Sequence, residues 1–420
     1  MSTMTITTDD AQYALDLVTR ICTEVGPGLP ASPQERQRAG IIQKELEIHL
    51  GAENVVMEEF TVAPDAVQSP FPTVLFMILA VLLNLAVPRL TGVSAWIASI
   101  AALVFAILTP VLFTLEFLLG HEVLDRFYRQ KQSVNVIGSL RKPGATTIKR
   151  LLILSGHHDS APENTWLRLL KHGFFVLSAI FFIGLITMLV VCLIQLVGLI
   201  LSNPSVISAG TLGWGLLVFI ILPAIIYMAF ATRGKKGGGV VPGAVDNLSA
   251  SAVTVAMCRF LVNNPDYIPE DTEIRFISFG SEEAGLRGSR RYVASHLEEL
   301  KHLNAQVLNY EMIAHPLIPI MTSDINGTVK HSPQMVKSVE AAAQRAGVPY
   351  RVGPGYIGVI TDAAPFTQAG LQAITLIPFK FPQQHVAFYH QKWDTPDKVT
   401  IEPLLNVLKL TFEWIKQSGE

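Results

Sequence analysis

The stretch LSGHHDSAPE, Leu154 to Glu163, joins two unlike kinds of sequence. Upstream, residues 149–155 (KRLLILS) are basic and then continuously apolar, the pattern of a strand buried on both faces. Downstream, from Gly173, GFFVLSAIFFIGLITMLVVCLIQLVGLILS carries no charge over 30 residues. Two imidazoles and a carboxylate at such a junction suit a metal site at a strand end. They suit equally a polar loop flanking a membrane segment.

Composition bounds the answer. The chain has 420 residues; half are apolar and 16% are charged, against the usual quarter for soluble domains. Membrane segments mixed with a soluble part account for that. A net charge of −2 gives no electrostatic footprint for nucleic acid. The three cysteines, Cys22, Cys192 and Cys258, are scattered, so neither a disulfide framework nor a thiolate metal site is expected. MSTMTITTDD lacks the basic and apolar regions of a cleavable signal peptide.

Four apolar stretches approach or exceed the roughly 20 residues that cross a bilayer core. They are residues 70–88, 93–120, 173–202 and 211–230. Pro110 lies inside the second, where a membrane helix tolerates it. They pair into two hairpins, at 67–120 and 166–232, each returning the chain to the side it left. Arg126, Arg129, Lys131, Arg168, Lys171, Arg233, Lys235 and Lys236 flank the soluble side, whereas the opposite loops carry only Arg89. Basic flanks favour the cytoplasm, so the soluble domain and both termini are expected there.

The soluble pieces, 1–66, 121–165 and 233–420, alternate strand and helix. NVVMEEFTV, SVNVIGSL, RLLILSG, TEIRFISFG, AQVLNYEMI and LQAITLIPF read as strands. DDAQYALDLVTRICTEVG, QERQRAGIIQKELEIHLG, SASAVTVAMCRFLVN, GSRRYVASHLEEL, PQMVKSVEAAAQRAG and PLLNVLKLTFEWIKQ read as helices. The expected fold is α/β: a mostly parallel twisted sheet with helices on both faces, interrupted by two transmembrane helical hairpins.

Polar residues gather after the strands, where open α/β sheets place ligands. These are His157, His158 and Asp159, then Asp246 beside Asn247, Glu282 and Glu283, Glu311, and His390 in FYHQKWDTPD. Imidazoles with carboxylates suit zinc and other divalent ions. Of two adjacent glutamates, one can bind metal while its neighbour takes a proton from water. Taken singly each feature is ordinary: EE starts many solvated helices, and Asp246 before LSAS reads as a helix N-cap.

In order, HHD, GAVDNLSAS, SEEAGLRGS, NYE and YHQKWDTPD resemble the motif series of the two-zinc aminopeptidase family of metallopeptidase clan MH. EVGPGLPASPQERQRAGII and TDAAPFTQAG resemble two further segments of that family. The likeness covers the soluble sequence and not the apolar stretches. It implies a zinc exopeptidase fold and two Zn2+ ions, other divalent ions being acceptable. His157 and Glu311 would hold one ion and Glu283 and His390 the other, with Asp246 bridging. It further implies Glu282 as general base and Asp159 as the group orienting His157. His158, where the family often has tyrosine, is not among the expected ligands. Two departures stand out. Glu311 replaces the usual aspartate, and His157 and Asp246 lie 89 positions apart (157 to 246) because the second hairpin intervenes.

The expected partners are a peptide substrate and the lipid bilayer; oligomeric state is not legible. The expected activity is that of an aminopeptidase on short peptides. Carboxypeptidase or dipeptidase action, glutaminyl-cyclase-like transfer, and an inactive receptor or scaffold are the alternatives the family implies. His385, close to the late motif, is a candidate for lining the substrate pocket and Tyr356 a candidate for supporting an oxyanion, with a structural role the ordinary reading of each. His49, His121, His172, His296, His302 and His331 are expected on surface helices or near the membrane.

Overall fold

The structure, a computed structural model, describes residues 5–67, 71–211 and 239–418. The fourth apolar stretch, 211–230, falls almost wholly outside these. Two compact units emerge: residues 1–64, 125–162 and 239–420 form one, and 65–124 and 163–238 the other.

In the first unit, α1 (Thr8–Glu24) begins on Thr7, whose backbone N–H and hydroxyl both donate to Asp10. The next helix, α2 (Pro33–Leu50), is capped by Ser32 with proline at its first position, and ends on Gly51 at φ +83°. The strands are β1 (Val55–Val62), β2 (Lys131–Arg141), β3 (Arg150–His157), β4 (Thr272–Phe279), β5 (Gln306–Tyr310), β6 (Ile318–Met321), β7 (Tyr350–Gly353) and β8 (Gln372–Leu376). They form one sheet in the order β1-β2-β4-β3-β5-β8-β6-β7.

The central run β4-β3-β5-β8 is parallel. The β1/β2, β2/β4 and β8/β6 pairings are antiparallel, and β6/β7 is parallel. The parallel centre agrees with the sequence expectation, while the antiparallel pairs give a more mixed sheet. Sequence alone hid the β1/β2 pair because the first insertion separates its strands. In register Val62 faces Lys131, so that insertion stands where a hairpin turn would be.

Side chains alternate across the sheet with the period of two that strands impose. From β3, Leu152 and Leu154 join one core and Leu151 and Ile153 the other. The larger core is covered by α1, α2, α3 (Ser249–Asn263), and the helices Pro333–Ala346 and Ile401–Gln417. The smaller is covered by Arg287–His302 and Ala363–Gln368. The segment Ala244–Asn263 is apolar and long enough to span a bilayer, yet 89% of its span window is buried in this core. It is a core element of the α/β unit.

The second unit contains the helices Phe71–Ala86, Gly92–Phe113 and Gly173–Ile200. At 1.5 Å per residue the latter two are about 33 and 42 Å long, enough for a roughly 30 Å hydrocarbon core. Only 28% to 33% of each span window is buried. A face of small residues, Ala95, Ala98, Ser99, Ala102 and Ala106, lets Gly92–Phe113 pack closely. The buried Gln195 side chain donates to the Asn84 carbonyl at 2.9 Å, a polar tie between helices.

Among the histidines expected at the surface, His331 is buried instead, 4% exposed. Its Nδ1 shares a 2.9 Å hydrogen bond with the Thr367 hydroxyl. Burial pulls its pKa from 6.5 down to about 4. His296 is half-buried and pairs with Glu58 at 2.7 Å.

Two expectations follow. Gly156, the penultimate residue of β3, lies so close to α3 that an added Cβ would sit 2.5 Å from the Ala250 Cβ. Gly156→Ala should cost about 1–3 kcal/mol by overpacking, lowering the thermal midpoint by about 2–10 °C; an unchanged midpoint would contradict this contact. Below pH 6.5 the unfolded chain protonates His331 while the folded chain refuses the proton until about pH 4. Its contribution to stability is therefore complete above pH 6.5 and lost as pH falls through that window. The stability advantage of the parent over His331→Gln should shrink from pH 7 to pH 4.5 in thermal melts, and a constant difference would refute it.

Candidate metal centre

The parallel centre of the sheet brings separate loops to one place. In register His157, the last residue of β3, faces Phe279, the last of β4, and Ser155 faces Asn309 of β5. The chain leaving β4 therefore delivers Glu282 and Glu283 beside His157, and the chain leaving β5 delivers Glu311. Asp246 arrives just ahead of α3. It is not the cap of α3, a position held by Leu248; its own backbone is non-helical (φ −111°, ψ 91°) and its peptide bond to Asn247 is cis. His390 comes from the loop after Gln383–Ala387.

All seven residues singled out from sequence meet here. His157 Nε2 lies 3.3 Å from Asp246 Oδ1, 3.4 Å from Glu311 Oε1 and 3.6 Å from Glu282 Oε2. His390 Nε2 lies 3.1 Å from Asp246 Oδ2 and 3.2 Å from Glu283 Oε1. The two oxygens of Asp246 thus face different imidazoles, as a bridging carboxylate must. Ligand atoms about 2.0–2.1 Å from a tetrahedral zinc stand about 3.3 Å apart, close to the imidazole–carboxylate separations in both groups. The sets His157, Asp246, Glu311 and Asp246, Glu283, His390 each offer three donor atoms within 4.8 Å of one another. Glu283 Oε1 and Glu311 Oε2 are buried without a hydrogen-bond partner among the described residues, as metal-facing oxygens would be.

The electrostatics ask for a cation. Burial pushes Glu282 and Glu283 above the ordinary carboxyl range and Glu311 up to about 8. Burial opposes the charge on His157 and His390, yet the surrounding carboxylates win. Glu282 and Glu311 hold His157 well above its usual value, and Glu283 with Asp246 raises His390 to about 10. Burial also acts against ionised Asp246, but hydrogen bonds from both imidazoles keep it low. A divalent ion meets the same demand without protonating its own ligands.

A ring of buried polar groups holds the donors in place. The Asp159 carboxylate stands 3.3 Å from His157 Nδ1 and accepts the backbone N–H groups of Glu282 and Glu283, both at 3.0 Å. Its placement of the two glutamates was not foreseen. Asp394 accepts the Val245 and Asp246 N–H groups at 2.7 and 3.1 Å. Asn247 donates to the Tyr310 carbonyl and accepts from the Met312 N–H, clamping the peptide on either side of Glu311. Glu35 of α2 accepts the Ser281 N–H and hydroxyl at 2.8 and 2.9 Å. Asp362, from TDAAPF, is fully buried, and burial raises it to about 7. The motif resemblance could have flagged Asp362 and Asp394; Asn247 stood out beside Asp246, but nothing in the sequence pointed to its clamping role.

His158 points elsewhere: its Nδ1 meets the Ser278 hydroxyl at 2.9 Å, and burial lowers it to about 4. His385 stacks on Tyr389, which stacks in turn on His390, with ring centroids 4.6 and 3.8 Å apart. Tyr356 has its hydroxyl engaged, donating to the Phe379 carbonyl at 3.1 Å and accepting from Arg351 at 2.8 Å.

Residues 231–415 match the profile of peptidase family M28. The aminopeptidase YwaD of Bacillus subtilis (strain 168) is 29% identical over 177 residues, 42% of this chain and 34% of YwaD. The chain thus spans about a third of the length of this curated relative. Among solved structures, BSAP, a zinc aminopeptidase from Bacillus subtilis, superposes with a TM-score of 0.53 at 15% identity, covering 97% of this chain and 95% of that one. A glutaminyl cyclase from Fimbriiglobus ruber gives 0.56 at 15% identity, covering 99% and 97%. Such identities speak for the fold alone. The segment that resembles peptidase family M28 is the one that carries Asp246, Glu282, Glu283, Glu311 and His390.

Proposed function

We propose that the protein is a membrane-anchored, zinc-dependent exopeptidase that removes amino-terminal residues from short peptides. The observation that carries this reading is Asp246, whose two oxygens face two separate imidazoles within a set of five donors, with Glu282 alongside. His157 and Glu311 would hold one zinc and Glu283 and His390 the other, with Asp246 shared between them. Zinc bound there supplies Lewis acidity, which acidifies a water and polarises the scissile carbonyl.

The chain's own groups do the rest. Glu282, held in place through its backbone N–H by Asp159, accepts a proton from the attacking water as the oxygen–carbon bond forms. It returns that proton to the amine nitrogen as the carbon–nitrogen bond breaks. Asp159 fixes the ring orientation of His157 through Nδ1. The preference for the amino terminus is supported by the names of the relatives, YwaD and BSAP, both aminopeptidases.

Membrane anchorage is supported by Gly92–Leu118 and Gly173–Ile200, long, apolar and largely unburied within their unit. A helix hydrophobic all round belongs in lipid or in a large core. The basic residues Arg126, Arg129, Lys131, Arg168 and Lys171 support a cytoplasmic catalytic unit.

Purified protein should release free amino acids from aminoacyl substrates and none from N-blocked ones. A strong chelator should abolish release, two equivalents of zinc should restore it, and metal analysis should find two ions per chain. Zinc-dependent release from N-blocked substrates alone would turn the reading to a carboxypeptidase, cyclisation of glutaminyl peptides to a cyclase, and no turnover of any to a binding protein. Glu282→Gln should lower kcat by about 10²–10⁴-fold while keeping both metals; parallel loss of zinc would remove Glu282 from the proton-transfer role. A phosphatase reporter fused after Glu420 should be silent and a cytoplasmic reporter active; the reverse pattern overturns the sidedness.

A further inference from the structure

The second insertion separates two metal donors, His157 and Asp246, by 89 positions, yet their atoms lie 3.3 Å apart. Something must hold the departing and returning chain together. Pro162 and Val240 form an antiparallel bridge at the mouth of the insertion. Deeper in, an added Cβ on Gly243 (φ +70°) would stand 2.8 Å from Ser160 Cβ, so the two segments run in contact. Ser160 is itself tied to the first loop: its N–H donates to the Gly28 carbonyl at 2.8 Å, and its hydroxyl accepts the Gly28 N–H at 3.0 Å.

Between these segments lies Arg38 of α2, wholly buried. Its guanidinium donates from Nη1 to the His158 carbonyl at 3.1 Å and from Nη2 to the Pro242 carbonyl at 2.5 Å. Nε and Nη2 also reach the Gly26 carbonyl, at 2.8 and 2.5 Å. One side chain thus joins three segments remote in sequence, one ending beside His157 and another beginning just before Asp246. Burial lowers its pKa to about 10, so it is cationic at neutral pH. A buried cation satisfied by backbone carbonyls is a costly arrangement, tolerated where geometry depends on it. The planar fork can serve three carbonyls at once, whereas a lysine ammonium presents its donors from a single point.

We propose that Arg38 is a positioning residue that clamps the two edges of the second insertion and thereby sets the spacing of His157 and Asp246 for zinc. The inference rests on the metal-centre reading above. It does not place Arg38 in contact with substrate or with the reacting atoms.

The test uses the full-length protein in detergent, with zinc affinity measured by chelator competition and thermal midpoints measured on the metal-free forms. Relative to the parent, Arg38→Lys should bind zinc about 10–100-fold more weakly. In Arg38→Ala, millimolar guanidinium chloride should restore affinity and sodium chloride should not. A role confined to stability would lower the metal-free midpoint and leave zinc affinity unchanged, and that result overturns the clamp. If Arg38→Lys does not fold, the guanidinium rescue of Arg38→Ala decides: recovered zinc binding supports the clamp and none refutes it. A parent that binds no zinc removes the metal-centre reading and the clamp with it; a parent that binds zinc no better than Arg38→Lys removes the clamp alone.

Discussion

The constraint on which the α/β unit depends is the mutual repulsion of buried carboxylates. Asp246, Glu282 and Glu311 are buried around two imidazoles, and Glu283 is nearly so. Unpaired, such a group would be expelled or neutralised. The fold counters this with directed donors. Asp159, Asp394 and Glu35 gather backbone N–H groups and so fix the chains on which the ligands ride. These supports are themselves acidic: burial raises Asp394 and Glu35 to about 8 each. The raised values mark how costly it is to charge these supports so close to the other carboxylates, and a bound cation would relieve both sets together.

Much of this was legible in the sequence, for physical reasons. Strands buried on both faces leave long apolar runs, so the parallel centre of the sheet was readable from RLLILSG, TEIRFISFG and AQVLNY. Ligands follow strand ends, so the order of motifs along the chain carried the convergence. What escaped had no local signature. The strands Ile318–Met321 and Tyr350–Gly353 are four residues each, the first interrupted by Pro319 and the second largely exposed. Asn247 and Arg38 act on backbone groups brought near only by tertiary structure, and no side-chain pattern announces a backbone partner. His331 looked like a surface residue because its burial depends on Asp324 and Thr367, which lie at the ends of other elements.

Two apolar helices show why composition alone cannot assign a solvent. Gly173–Ile200 and Ala244–Asn263 both have the length and apolarity to span a bilayer. The second lies against the sheet, with buried side chains right round its circumference from Ser249 to Cys258. Its small residues, Ala250, Ser251 and Ala252, permit the close approach that Gly156 requires. The first presents Val176, Ile183, Ile186, Val190 and Ile194 outward. Small and polar residues among the apolar ones mark the helix that packs against protein; bulky exposed aliphatics set the other apart, and the proposed bilayer would cover them.

The insertions are tolerated because each opens at a point where the fold has already brought two chain ends together. The first leaves after Val62 and returns at Lys131, paired residues of an antiparallel ladder, so 68 intervening residues stand where two would do. The entropic cost of a longer loop grows only with the logarithm of its length, about 0.6 kcal/mol per doubling, once its ends are held. The second leaves and returns at the Pro162–Val240 bridge. Here the held ends continue directly into His157 and Asp246, whereas the first mouth meets the proposed donors only through packing, Val62 clustering with Ala284 beside Glu283 and Ser133 bonding the Ser281 hydroxyl. The two insertions are alike in sequence but differ in attachment: the first extends a hairpin, and the second parts His157 from Asp246 themselves, so the spacing of these two side chains depends on how firmly that segment is tied at its base.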